Sequence, residues 1–105
     1  MSISVILYIM NLPNGWSKQE DKLVLVLKCP DFMRALAMLN SFADISESMN
    51  HHPDLALRNY NEVVVSTTTH SVGKITDKDI KLAQEITDLI EYQDEKILIE
   101  GKGRE

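Results

Sequence analysis

Between Pro30 and Pro53 the chain contains neither glycine nor proline, and its apolar residues recur at helical spacing. The stretch CPDFMRALAMLNSFADISESMN predicts a long helix. Asp31 is suited to the N-cap, and Pro53 marks the stop because it biases His52 out of the helical region. At 100° per residue, Phe32, Ala35, Leu36, Leu39 and Ala43 fall on one stripe. Met38, Phe42, Ile45 and Met49 form a second stripe directly beside it. Together they cover about half the helix surface, more than the ~100° face that one core requires. The excess predicts a second covering surface, and a homo-oligomer, dimer or tetramer, supplies it most economically.

The flanking segments read as strands and one further helix. "LPNGW" is a turn. "KLVLVLKC" is apolar on both parities over residues 23–27, which predicts burial on both faces or a subunit contact. "DLALRNYN" and "EVVVSTTTH" predict a hairpin that turns near Tyr60 and Asn61. On its second strand Val63, Val65, Thr67 and Thr69 share one face, and Val64, Ser66, Thr68 and His70 the other. After the loop "SVGK", Thr76 is the N-cap of a helix with Asp79 at its third position, a short-armed capping box. Ile80, Ala83, Ile86, Thr87 and Ile90 form its buried stripe. The apolar run at 5–10 reads as a buried first element, and the run at 97–99 as an extra edge strand or a frayed tail.

Totals narrow the function classes. A chain of 105 residues, 44% apolar and 26% charged, predicts one globular domain. A net charge of −5 and a pI near 5.1 argue against direct nucleic-acid binding, which runs on clustered Lys and Arg. Residues 5–10 are too few to span a bilayer and lack the flanks of a signal peptide, so no membrane association is expected. The single Cys29 has no disulfide or zinc-ligand partner, which points to a reduced thiol and a cytoplasmic, or also nuclear, location.

The candidate chemistry lies in "MNHHPDL". Consecutive side chains diverge by about 100° on a helix and point to opposite faces on a strand. His51 and His52 are therefore a poor chelating pair, and no metal site is expected. Proton transfer suits them better, because imidazole exchanges protons near neutrality. Glu47 lies one helical turn before His51 and is expected to orient it. From spacing alone, solvated residues at a helix end remain an equal reading.

Several motifs bear on that choice: E-S-M-N-H-H-P-D at 47–54, Y-N-E-V at 60–63, T-H-S-V-G at 69–73 and I-T-D-K-D at 75–79. Upstream stand N-G-W at 14–16 and P-D-F-M-R-A-L-A-M-L at 30–39. In this order they resemble the pterin-4a-carbinolamine dehydratase family, whose pattern is E-x-x-x-H-H-P followed by T-H-x-x-G-G, Ser/Thr and a downstream Asp. The likeness spans about residues 14–90. The chain departs from the pattern at Lys74, where the second glycine would stand and which is expected to alter the loop beside His70. It departs also at Asn50 and Leu55, and in an unusually apolar first element.

The resemblance implies an α+β fold: a four-stranded antiparallel sheet with helices packed on one face, in α-β-β-α-β-β-α order. It implies loss of water from a 4a-hydroxytetrahydropterin to give the quinonoid dihydropterin, in recycling of tetrahydrobiopterin, with no cofactor. By motif it assigns His51, His52 and His70 to catalysis. His51 and His70 are then the acid–base pair, and His52 shapes the pterin pocket with Pro53. Thr69, Ser71, Glu47, Asp79 and Trp16 complete the implied substrate site, with helix capping and core burial as the alternatives for Asp79 and Trp16. Family members associate through the helix before H-H-P, and some serve as dimerisation cofactors of a transcription factor. A non-catalytic pterin-binding or adaptor protein is thus the alternative function.

Overall fold

The computed structural model describes Leu12 and residues 15–101, with side chains through Gln93. Its elements are β1 (Trp16–Gln19), β2 (Lys22–Lys28), α1 (Phe32–Met49), β3 (Asp54–Arg58), β4 (Glu62–Thr67) and α2 (Asp77–Gly101). The strands form one antiparallel sheet in the order β1-β2-β4-β3. This is the expected α+β architecture. Its leading helix and the apolar run at 5–10 lie outside the described residues.

Strand alternation decides which face is covered. Trp16, Leu25, Val65 and Leu55 are successive register partners and make one apolar row across all four strands. Leu27, Val63 and Leu57 make a second row. Both helices contribute to the core on this face, through Ala35, Phe42, Leu82, Ala83 and Ile86. Trp16 belongs to that core and donates its indole N–H to Thr87 Oγ1 at 2.9 Å. Trp16 thus takes the core burial that was one of its two expected roles. Of the two readings of β2's double parity, burial on both faces within the chain does not hold, since Val24 is half-buried and Val26 is 45% exposed on the outer face; the subunit contact is the reading that remains.

Helix α1 begins where its cap predicts, with Arg34 N–H donating to Asp31 Oδ1 at 2.8 Å. The second stripe is the inner one: Phe42 is fully buried, and Met38, Ile45 and Met49 pack on the core. In the first stripe Ala35 is buried and Leu36 and Leu39 are half-buried, while Phe32 and Ala43 are exposed. Met33 beside them is also exposed. The expected surplus of apolar surface on α1 is real, and it lies on the stripe led by Phe32.

The β3–β4 turn spans residues 59–61, with Asn59 and Tyr60 in the left-handed region at φ 50° and 58°. Asn61 is buried and donates its side-chain N–H to the Cys29 carbonyl at 2.9 Å, while its own carbonyl accepts from Cys29 N–H at 2.7 Å. The hairpin end is thereby tied to the exit of β2. The segment at 97–99 lies within α2, so it is neither an edge strand nor a frayed tail. A short apolar run cannot reveal this by itself, because the helical period persists only when read together with the residues before it.

Replacing Phe42 with Ala should lower unfolding free energy by about 3–5 kcal/mol, since the ring is fully enclosed. Urea denaturation followed by far-UV circular dichroism checks this; a loss below about 1 kcal/mol would show that Phe42 is not a core anchor.

Candidate active site

The placement of the histidines follows from how α1 ends. Asn50 takes the left-handed conformation, φ 50° and ψ 42°. Asn50 N–H donates to the Glu47 carbonyl at 3.2 Å and His51 N–H to the Ser46 carbonyl at 3.1 Å, the bond pattern of a Schellman motif. Asparagine tolerates this conformation better than most residues, a physical reason for Asn50. The reversal turns His51 inward, where its side chain is 11% exposed, and His52 outward, where it is 57% exposed.

His51 Nε2 lies 2.7 Å from Asp79 Oδ1. The Asp79 carboxylate is fully buried and accepts three further hydrogen bonds. Thr67 Oγ1 donates to Oδ1 at 2.6 Å, Thr69 Oγ1 to Oδ2 at 2.7 Å, and Thr76 N–H to Oδ2 at 2.9 Å. The last bond is the capping box expected from the sequence, completed by Lys78 N–H donating to Thr76 Oγ1 at 3.3 Å. Burial pushes the Asp79 carboxyl up, but the bonds from His51, Thr67, Thr76 and Thr69 together hold it below the usual aspartate value. Asp79 is therefore an anion at neutral pH. A carboxylate only accepts, so the proton in the His51–Asp79 bond sits on Nε2. Nδ1 of the same ring makes no hydrogen bond among the described residues.

One expectation needs correction. Glu47 does not orient His51; it pairs with His52 on the surface. The Schellman turn breaks the helical register that would have stacked Glu47 against His51. Asp79 caps α2 as expected, and its carboxylate also takes the place expected of Glu47 by holding His51. Thr67 was not a candidate at all. The available signal was two hydroxyls, Thr67 and Thr69, on the same buried face as Val63 and Val65, since buried hydroxyls require an acceptor.

Of the remaining candidates Thr69 bonds to this centre. Thr69 is buried and its backbone N–H pairs with the Lys74 carbonyl at 3.0 Å, closing the loop that carries His70 and Ser71. His70 and Ser71 are exposed. Gly73 supplies the left-handed residue of this loop, φ 64°, whereas Lys74 is not left-handed, so a side chain is accommodated where the family pattern has its second glycine. Pro53 is half-buried next to the exposed His52. Among the described residues no group of three or more His, Cys, Asp or Glu side chains could hold a metal ion, and no helix is long and apolar enough to cross a membrane.

A four-stranded antiparallel sheet with helices on one face, and a buried aspartate holding an imidazole, define an α+β protein with a histidine–carboxylate centre. The sequence matches the family described as pterin 4 alpha carbinolamine dehydratase over residues 5–89, and the chain belongs to that family. A relative from Sulfurisphaera tokodaii, named "Putative pterin-4-alpha-carbinolamine dehydratase", is 41% identical over 81 residues, covering 77% of this chain and 86% of its own. One of the same name from Thermosynechococcus vestitus is 44% identical over 79 residues, covering 75% and 81%. The crystal structure of a transcriptional coactivator/pterin dehydratase from Brucella melitensis aligns with TM-score 0.73 at 28% identity, over 84% of this chain and 95% of that one. A pterin dehydratase-like protein identified as a RuBisCO assembly factor in the alpha-carboxysome shares the fold, with TM-score 0.57 at 15% identity over 70% of this chain and 84% of that one.

Because the folded-state pKa of Asp79 lies below its ordinary value, the unfolded chain binds the extra proton first as pH falls. The stabilisation is complete above the usual aspartate value of about 3.9 and is lost as pH drops toward the folded value. Asp79→Asn should cost about 3 kcal/mol at pH 7, and the gap from wild type should narrow as pH falls below about 4. Urea unfolding across pH checks this; a gap independent of pH would mean that the charge on Asp79 does not stabilise the fold.

Proposed function

We propose that the protein is a dehydratase acting on 4a-hydroxytetrahydropterins, converting 4a-hydroxytetrahydrobiopterin to quinonoid dihydrobiopterin in tetrahydrobiopterin recycling. The observation that carries this reading is the His51–Asp79 pair, which directs Nε2–H to the carboxylate and leaves Nδ1 without a partner among the described residues. Family membership supplies the substrate class.

The reaction needs two proton transfers. A base removes the proton from pterin N5, and the freed electron pair forms the N5=C4a double bond. The C4a–O bond breaks as an acid protonates the hydroxyl, and water leaves. His51, with Nε2–H directed to Asp79, offers Nδ1 as the base, and Asp79 stabilises the imidazolium that results. His70, exposed on the loop that begins at Thr69, acts as the acid and is reprotonated from solvent. His52 and Pro53 border the pterin, with Thr69 and Ser71 flanking His70. The chemistry requires no metal or cofactor, because protonation alone turns the hydroxyl into a leaving group. The buried Cys29 thiol, with its acidity weakened by burial and by the Asp31 charge, fits a reducing cytoplasm.

The exposed stripe of α1, Phe32 and Met33 with half-buried Leu36, supports a homo-oligomer. The same surface supports the alternative reading, a protein-interaction adaptor, which the coactivator part of the Brucella protein's name brings forward. Light scattering coupled to size exclusion tests association: Met33→Glu should shift an oligomer toward monomer, and a monomeric wild type would defeat it.

Stopped-flow absorbance on chemically generated 4a-hydroxytetrahydropterin tests the enzyme. His51→Ala and His70→Ala should each lose about 10²–10⁴-fold in rate, and a chelator should change nothing. Traces for wild type that coincide with an enzyme-free blank would reject the dehydratase in favour of the adaptor.

A further inference from the structure

The two oxygens of Asp79 have separate partners. Oδ2 takes the Thr69 hydroxyl and the Thr76 N–H, and so serves the loop and the cap of α2. Oδ1 takes His51 Nε2–H at 2.7 Å and the Thr67 hydroxyl at 2.6 Å. Thr67 is thus the one described group that shares an oxygen with His51. Its side chain is 1% exposed, on a sheet face it shares with Val63 and Val65. Its oxygen is 3.4 Å from His51 Nε2. With its proton directed to the carboxylate, Thr67 turns lone pairs rather than a donor toward the imidazole N–H.

We propose that Thr67 is a positioning residue that sets how tightly Asp79 Oδ1 holds the His51 Nε2 proton. Its effect on turnover rests on the dehydratase reading, while its effect on the imidazole does not. An oxygen that accepts a short charge-assisted bond from one donor has less negative charge to offer the second. Without the hydroxyl, Oδ1 pulls harder on the imidazole proton, the imidazolium form persists to higher pH, and the neutral base becomes scarcer. The carboxylate also loses the contact that fixes its rotation about the Cβ–Cγ bond on the His51 side.

Other charged groups on the surrounding elements do not displace Asp79 from this role. On α1 Glu47 is paired with His52, and on β3 and β4 Arg58 is paired with Glu62. Asp44 on α1, Asp54 on β3, His70 and Lys74 in the loop, and Asp77, Lys78, Lys81 and Glu85 on α2 make no hydrogen bond to His51 or to the Asp79 carboxylate among the described residues. Asp79 is the ion that His51 meets.

Thr67→Val removes the hydroxyl at nearly constant shape, and Thr67→Ser restores it. The valine variant should lose roughly 3–10-fold in kcat, and the acid limb of its pH–rate profile should move to higher pH. KM should stay close to wild type, and serine should recover both quantities. Independently of turnover, the imidazole N–H resonance of His51 in ¹⁵N-labelled protein should shift in Thr67→Val and return in Thr67→Ser. A valine variant with the wild-type resonance and acid limb overturns the proposal. So does a serine variant that behaves like valine, because the loss would then be one of packing. If the wild-type protein does not turn over the pterin, the dehydratase reading falls and the resonance alone decides the role of Thr67.

Discussion

The interaction on which the structure depends is the burial of one negative charge. A carboxylate taken out of water costs several kcal/mol unless its oxygens are filled by donors of good geometry. Asp79 has four such donors, and each comes from a different segment. His51 follows α1, Thr67 ends β4, Thr69 opens the loop beyond it, and Thr76 precedes α2. None of the four is positioned until the sheet, the loop and both helices have met. Closing the fold and assembling the site are therefore one event, and the charge that would destabilise a partly assembled chain becomes favourable only in the complete one.

The end of α1 decides what the histidine doublet can be. A helix continued through residue 51 would bring His51 back to Glu47, on the solvent side. The left-handed Asn50 breaks that register within one residue and sends the two rings in opposite directions. One reaches the buried anion; the other pairs with Glu47 at the surface. Their electrostatic surroundings consequently differ. The partner of His51 is fully shielded from solvent, whereas the pair made by His52 is open to water and screening.

Much of the fold was legible because it rests on local pattern. The cap at Asp31, the stop before Pro53, the alternation along β4 and the capping box at Thr76 are each written in a few consecutive residues, and each stands in the structure. The histidines were legible as chemistry from their residue type and their family motif. The partner of His51 was not, because Glu47 is close in sequence while Asp79 is 28 residues away, and helical stacking favours the nearer group. The inner stripe of α1 was equally hidden. Two adjacent apolar stripes of similar size do not say which faces the sheet until Phe42 is buried in the same core as Leu25 and Val65.

The same carboxylate does two jobs, and this explains why the capping box uses aspartate. Glutamate at the third helical position is the commoner partner, because its longer arm reaches back to the N-cap with the helix start well clear of its neighbours. Here the arm is shorter by one carbon–carbon bond, about 1.5 Å, yet Oδ2 still meets Thr76 N–H at 2.9 Å. The short arm keeps the charge close to its own backbone. Oδ1 can then meet Thr67 and His51 only if the first turn of α2 lies tight against the end of β4 and the exit of α1. A longer side chain would carry the carboxylate past Thr67 and crowd the imidazole, or else push the helix away and open the buried anion to water. The requirement for a dry, rigid acceptor behind His51 thus fixes the residue type at 79 more narrowly than helix capping does.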